Sequence, residues 1–356
     1  MGDGRTTELI GTFLIVVVVV LAATAAYGLL ATDASVAPDG ERIEGQSPEQ
    51  FQPENVNPEV DPENGTITVD SDSDGARILV DTEHENQFSQ SQLEPVVEAA
   101  FRANHTLVFP EQSSSFGSDD SSPYNETLKQ YDGVLIIQPT TGFSGNETGA
   151  LQAYADAGGR VVVLAEPTRT QVSGGGLLAS LERVSFGANN MTAEFGVQMG
   201  AEELFNIDDE ATDNNFKSIY ADPADDGPLT DGVETVTFDG SGYAAVKEDG
   251  DARVLLSAVE GTSTIDSRRT DTYPVVVRNG NMVFVADTTF LERSEIYDAD
   301  NEVFISNLIT FLADGDLPDD YATEETETPT ATPTPPETPP GTPPGTPPPT
   351  PTDSGA

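Results

Sequence analysis

The sequence predicts an α/β fold: a mostly parallel sheet with helices on both faces and a β-rich insertion. Three observations predict it. Short β-branched runs recur between helical repeats, as in Ile78-Leu79-Val80, Gly133 to Ile137 and Arg160 to Leu164. A capping signal and a pair of glycines frame the segment between the last two runs. An Asn-Gly hairpin and an apolar helix close the order. Strand, helix, strand at this spacing implies right-handed crossovers and a sheet buried on both faces.

Ile78 to Val80 is the first strand, and Ser91 to Ala103 the first helix, with Leu93, Val97, Ala100 and Phe101 spaced to share a face. His105 to Phe109 reads as the next strand and Gly133 to Ile137 as the third. Ser144 and Glu147 form an S-x-x-E capping box, and Gly158-Gly159 sits where that helix stops. Arg160 to Leu164 is the fourth strand. The pattern loosens over about 187–260, where Val233 to Phe238, Tyr243 to Val246 and Arg253 to Ser257 read as short strands of an elaboration. Asn279-Gly280 between two apolar runs is a two-residue hairpin signal. A last helix from about Asp300 places Phe304, Leu308, Phe311 and Leu312 on one face.

The flanks differ in kind from this middle. After a nine-residue N-terminus expected to be cytoplasmic, residues 10–30 run IGTFLIVVVVVLAATAAYGLL without a charge, long enough for a single-pass span in membrane lipid. Ala23-Thr24-Ala25 also offers a signal-peptide cleavage pattern, and on that alternative the rest is secreted. Either way the main domain is expected outside the cytoplasm. Residues 31–74 read as an acidic flexible tether, 75–317 as the folded domain, and 318–356 as a Pro/Thr-rich disordered tail. Asn64, Asn104, Asn125, Asn146 and Asn190 each begin an N-x-[ST] sequon, the expectation for a glycoprotein.

The chain has 62 acidic against 15 basic residues, a net charge of −47. Nucleic acid is excluded as a partner, because phosphate recognition needs clustered cations. Asp-rich, Lys-poor chains resemble proteins of extreme halophiles, whose carboxylates are screened by molar salt. Cysteine is absent, which removes disulfides, thiolate nucleophiles and Cys-ligated metals.

Three segments carry a family resemblance. YDGVLIIQPTTGFSGNETGALQAYADAGGRVVVLAEP, ILVDTEHENQF and MVFVADTTFLERSEIYDADNEVFISNLITFL resemble GldG-like domains that sit beside membrane transport and ATPase systems. The resemblance, of haloarchaeal type, implies a class I glutamine-amidotransferase-like fold related to flavodoxin-like sheets. It also implies a membrane complex as partner.

An amidotransferase needs a cysteine on the sharp turn after a strand, and the turn expected after Leu164 reads Ala165-Glu166-Pro167-Thr168. Ser173, before three glycines, lacks an elbow context. The candidate ligand contacts are therefore Asp81, His84, Asp287 and Glu166, all just past strand ends, where open α/β sheets bind ligands. The competing reading makes the two aspartates turn caps and leaves His84 exposed. Asp70, Asp72 and Asp74, with Asp81 at the twelfth position, match the opening of a calcium loop but lack its flanking helices. Calcium is the only cofactor this suggests. Arg268-Arg269 reads as an anion contact or a loop salt bridge, and His105 as structural. The expected function is a non-catalytic membrane-anchored binding or scaffold domain. A hydrolase using Asp81, His84 and Asp287, and an envelope spacer, are the alternatives.

Overall fold

The computed structural model describes residues 63–110, 123–173, 180–318 and 321. The apolar run 10–30, tether residues 31–62 and nearly all of the Pro/Thr-rich tail lie outside them. Among the described residues no helix is long and apolar enough to cross a membrane.

The elements run β1 (Arg77–Val80), α1 (Glu94–Arg102), β2 (Thr106–Val108), α2 (Pro123–Leu128), β3 (Gly133–Ile137), α3 (Gly145–Asp156) and β4 (Arg160–Leu164). The β-rich stretch follows: β5 (Arg169–Ser173), β6 (Ser180–Val184), α4 (Asn189–Glu194), β7 (Val197–Met199), β8 (Leu204–Phe205), β9 (Ser218–Pro223), β10 (Val236–Asp239), β11 (Ala244–Val246), β12 (Arg253–Ala258) and β13 (Ser263–Thr264). β14 (Pro274–Asn279), β15 (Met282–Val285) and α5 (Asn301–Ala313) close the domain.

Nine strands form one sheet in the order β10-β9-β12-β14-β15-β4-β3-β1-β2. The five from β15 to β2 are mutually parallel. Taken alone, their order is 2-1-3-4-15, the flavodoxin-like arrangement with β15 as fifth strand, so the order reverses between β1 and β3. The expected α/β class is thus observed. The insertion does not stand off as a subdomain: β12 pairs antiparallel with β14, and β9 and β10 continue the main sheet beyond it, each antiparallel to its neighbour.

Strand alternation sends successive side chains to opposite faces. Ile78, Val80, Leu135, Ile137, Val162, Leu164, Val283 and Val285 pack with α1 and α5 on one face. Leu79, Val134, Ile136, Val161, Val163 and Phe284 pack with α2 and α3 on the other. Both faces are dry, which explains why these strands read as continuous apolar runs. Full burial of each such side chain contributes roughly 1.5–3 kcal/mol.

Four local expectations shift. On α1 the buried stripe is Leu93, Val96, Ala99 and Ala100, and Phe101 is exposed, because the helix starts only at Glu94 and its core contact follows a three-residue step. In the hairpin Asn279 still pairs with Met282, so the loop is Gly280-Asn281. Gly280 has φ 55°, the left-handed geometry that a glycine-first tight turn requires. The domain begins near residue 63 rather than 75. Ile67 is buried, and the backbone N–H groups of Thr68 and Asp70 donate to Ser306 and Thr310 of α5. Finally, no calcium loop forms: Asp70, Asp72 and Asp74 are exposed, and the extended strand β1 stands between them and the buried Asp81. Among the described residues no three acidic, His or Cys side chains are placed to hold a metal.

Candidate functional site

The carboxyl ends of β1, β3, β4 and β15 present Asp81, Gln138, Glu166 and Asp287. Register explains their placement. Val285 pairs with Leu164, so Asp287 and Glu166, each two residues further on, leave neighbouring parallel strands at the same level. All four are at least 93% buried, with relative exposures of 2%, 3%, 7% and 0% in strand order.

The acidic groups fall into two clusters, one around Asp81 and one around Glu166 and Asp287, and among the described residues no hydrogen bond or ion pair runs directly between their side chains. In the first, His84 Nδ1 lies 2.9 Å from Asp81 Oδ2, and Nε2 lies 3.6 Å from Glu147 Oε2. The imidazole stacks on Phe143, with centroids 3.5 Å apart and planes 15° apart, and meets the edge of Tyr124 at 5.6 Å. Burial works against the imidazolium, but the flanking carboxylates outweigh it and lift its pKa to about 9. His84 therefore carries a charge at neutral pH, held between two anions. Glu147 is pulled down to about 2, chiefly by His84. It also closes the expected capping box, accepting from the Ser144 N–H at 2.7 Å, so the start of α3 is fixed to the imidazole. His84 is buried, which corrects the reading that left it exposed.

In the second cluster, Glu166 Oε1 accepts from the N–H and hydroxyl of Thr288, and Oε2 pairs with Arg169 at 2.5 Å. Asp287 Oδ1 accepts from the Thr289 hydroxyl at 2.7 Å and the Phe290 N–H at 3.1 Å. Its Oδ2 is buried with no hydrogen-bond partner among the described residues. Burial first, and the nearby Glu166 second, push the Asp287 carboxyl well above its usual range. Glu166 is raised as well, mainly by burial.

Gln138 was not a sequence candidate, yet it bridges the loops. Its backbone N–H donates to Leu164, its carbonyl accepts from Gln87, and Oε1 accepts from the Glu166 N–H at 2.7 Å. Its φ of 41° is rare for a non-glycine residue. A left-handed turn therefore follows β3, and the residue in it carries an amide and no nucleophile. The signal available in the sequence was Gln-Pro directly after an apolar strand.

The reversal point between β1 and β3 is the ordinary ligand crevice of such sheets. Here its two loops bond to each other. The His84 carbonyl accepts from the N–H groups of Thr140 and Thr141, and the Ile137 carbonyl accepts from the Asn86 amide. The Thr140 hydroxyl donates to the Glu85 carbonyl and the Thr141 hydroxyl to the Glu85 carboxylate, each at 3.0 Å. Gly187 is locked beneath, its N–H 2.7 Å from the Pro139 carbonyl.

The remaining candidates fall elsewhere. Ser173 ends β5, and its neighbours 174–179 lie outside the described residues. His105 Nδ1 accepts from the Ala76 N–H at 3.2 Å, a structural contact. Of the sequons, Asn104 and Asn190 donate their amides to Asp74 and to the Phe143 carbonyl, whereas Asn146 is exposed in the first turn of α3.

Strand order and reversal point together define a flavodoxin-like, amidotransferase-like α/β domain without the nucleophile of an amidotransferase. The chain belongs to the family described as Domain of unknown function (DUF4350), which it matches over residues 117–309. No curated protein matches it. Among solved structures, the mmIFT52 N-terminal domain is similar at 13% identity and a TM-score of 0.51, over 68% of this chain and 100% of that one. Cytoplasmic protein STM1381 from Salmonella typhimurium LT2 matches at 12% identity and TM-score 0.41, covering 67% and 99% of the two chains. A ThuA-like protein from Parabacteroides merdae matches at 14% identity and TM-score 0.38, covering 69% and 94%.

Proposed function

We propose that this chain is a non-catalytic binding or scaffold domain, anchored in the membrane by residues 10–30 and facing out of the cell, accessory to a membrane ATPase or transport system. The observation that carries the non-catalytic reading is the self-closed crevice. The groups that a ligand or substrate would meet at the strand ends are buried and, Asp287 Oδ2 apart, bonded to neighbouring groups of the chain, and the left-handed turn after β3 carries Gln138. A general base must reach the proton it takes. His84, charged and sandwiched between two carboxylates, has no free lone pair for that task. The GldG-like resemblance supports the membrane-complex setting, and the acidic composition supports a high-salt environment. The exposed Asn146 sequon suits an outward-facing surface.

The test is crosslinking of the full chain in native membranes at molar salt, read by mass spectrometry. A stoichiometric ATPase or transport subunit linked to residues 63–318 is the expected result. Esterase or amidase turnover by the purified chain, abolished by Asp287→Asn with unchanged thermal unfolding, would install the hydrolase reading in its place.

A further inference from the structure

The insertion builds a concavity that neither cluster uses. It measures about 430 Å³ and is lined by Glu203, Phe205, Ile207, Phe216, Lys217, Ile265 and Arg268. β8 and β13 pair through Ser263 and Phe205 to form its floor. The loops that leave these two strands raise its walls. Phe205 and Phe216 meet edge to face at 6.5 Å, while Ile207 is 83% and Phe216 53% exposed. Apolar side chains this open are costly to hydrate unless something covers them.

The polar side of the concavity is cationic. Lys217 Nζ is held 2.7 Å from Glu203 and so is already neutralised. Arg268 is different. Its guanidinium lies over the Phe205 ring, 5.0 Å from the centroid, and forms no ion pair among the described residues. The loop holds it there at a backbone cost, since Arg268 has φ 53°. Its N–H donates to the Thr264 carbonyl, and the hydroxyls of Thr264 and Ser267 bond at 2.7 Å.

We propose that this concavity binds a small organic monocarboxylate with an aromatic or branched apolar body. The body fills the space between Phe205, Phe216, Ile207 and Ile265, and the carboxylate takes the fork of Arg268, whose planar donors match it bidentately. Of the two cations lining the concavity Lys217 is already held by Glu203, so Arg268 leaves one positive charge, which suits one negative charge and disfavours a phosphate dianion. The volume lies in the range of small-ligand sites, roughly 300–1,000 Å³. The site stands on the insertion and does not depend on the scaffold reading, so either can fail without the other.

The experiment is ligand-observed NMR on the purified full chain in molar KCl, with 3-phenylpropionate as probe and 3-phenylpropanamide and 3-phenylpropylamine as matched controls. The propionate is expected to bind at least about tenfold more tightly than either control, the scale of a charged hydrogen-bonded contact. Arg268→Gln should remove that preference, Arg268→Lys should keep part of it, and Phe216→Ser, on the facing wall, should weaken binding of the propionate. Both positions, Arg268 and Phe216, are exposed, and a thermal melt of each variant confirms folding. Equal binding of the three probes, an unchanged preference in Arg268→Gln, or no binding of the propionate overturns the assignment. Binding of an acidic aromatic peptide in place of the propionate overturns it too, in favour of a protein partner.

Discussion

Nδ1 of His84 stands 2.9 Å from Oδ2 of Asp81, and the opposite nitrogen of the same ring faces Glu147, so one imidazolium ties the end of β1 to the start of α3. The bond has a pH signature. The pKa of His84 rises from 6.5 to about 9 on folding, so the stabilisation it supplies is complete below 6.5 and is lost as pH climbs through 9. The amount is about 3 kcal/mol. Urea titrations in molar KCl should show wild-type stability falling by that order between these two pH values. His84→Phe keeps the stack on Phe143 but leaves the buried Asp81 and the half-buried Glu147 uncompensated. It should be less stable by roughly 3 kcal/mol or more at neutral pH, and its stability should be nearly flat over the same window. A flat wild-type profile would refute the charged histidine.

Asp287 and Glu166 leave adjacent strands at one level but should respond differently to neutralisation. Asp287 is fully buried, which shifts its carboxyl towards the neutral form, and the two donors it receives both reach Oδ1. Asparagine preserves that acceptor, so Asp287→Asn should fall within about 1 kcal/mol of wild type, while Asp287→Ala strands the Thr289 and Phe290 donors at about 1–3 kcal/mol. Glu166→Gln removes the charge facing Arg169 and should cost more than Asp287→Asn. Paired denaturation curves decide the order, and the reverse ranking would mean that Asp287 is the ionised member.

Gly187 tests whether the closed crevice holds the fold together. A Cβ there would stand 2.2 Å from the Thr140 carbonyl oxygen, in the loop that clasps His84. The clash is with backbone, so it cannot be relieved by a rotamer change. Gly187→Ala should cost about 1–3 kcal/mol and speed amide exchange at Thr140 and Thr141, whose N–H groups donate to His84. Exchange unchanged at those two amides would show the clasp to be incidental.

The parallel core was legible because burial on both faces leaves no alternation to misread: Gly133 to Ile137 and Arg160 to Leu164 appear with the expected ends. The capping box at Ser144 was legible for a local reason, since both of its bonds close within four residues. Asp81, His84, Glu166 and Asp287 could be placed at strand ends, but their division into two clusters could not. That division depends on Glu147 of α3 and Phe143 just before that helix reaching His84, and on Arg169 reaching Glu166 from β5. Gln138 was missed because its role lies in a backbone angle, and the insertion was missed as part of the sheet because short antiparallel edge strands look alike whether they extend a sheet or stand apart.

The acidic surface predicts a dependence on salt opposite to that of an ordinary ion-pair-stabilised protein. With 62 acids and 15 bases, repulsion between like charges far outnumbers attraction. The screening length falls from about 10 Å at 0.1 M to about 3 Å at 1 M salt, so repulsion between exposed carboxylates collapses over that range. The internal attractions survive it: the Asp81–His84 pair is buried, and Glu166 faces Arg169 in direct contact. Salt therefore removes the destabilising part of the electrostatics and leaves most of the stabilising part. Melting followed by circular dichroism should show Tm rising steadily from 0.1 M to molar KCl, with NaCl giving nearly the same curve because screening does not depend on the identity of the cation. A Tm that falls with salt would place the stability of this domain in exposed ion pairs such as Glu94–Arg293 and would remove the physical basis for reading its composition as an adaptation to brine.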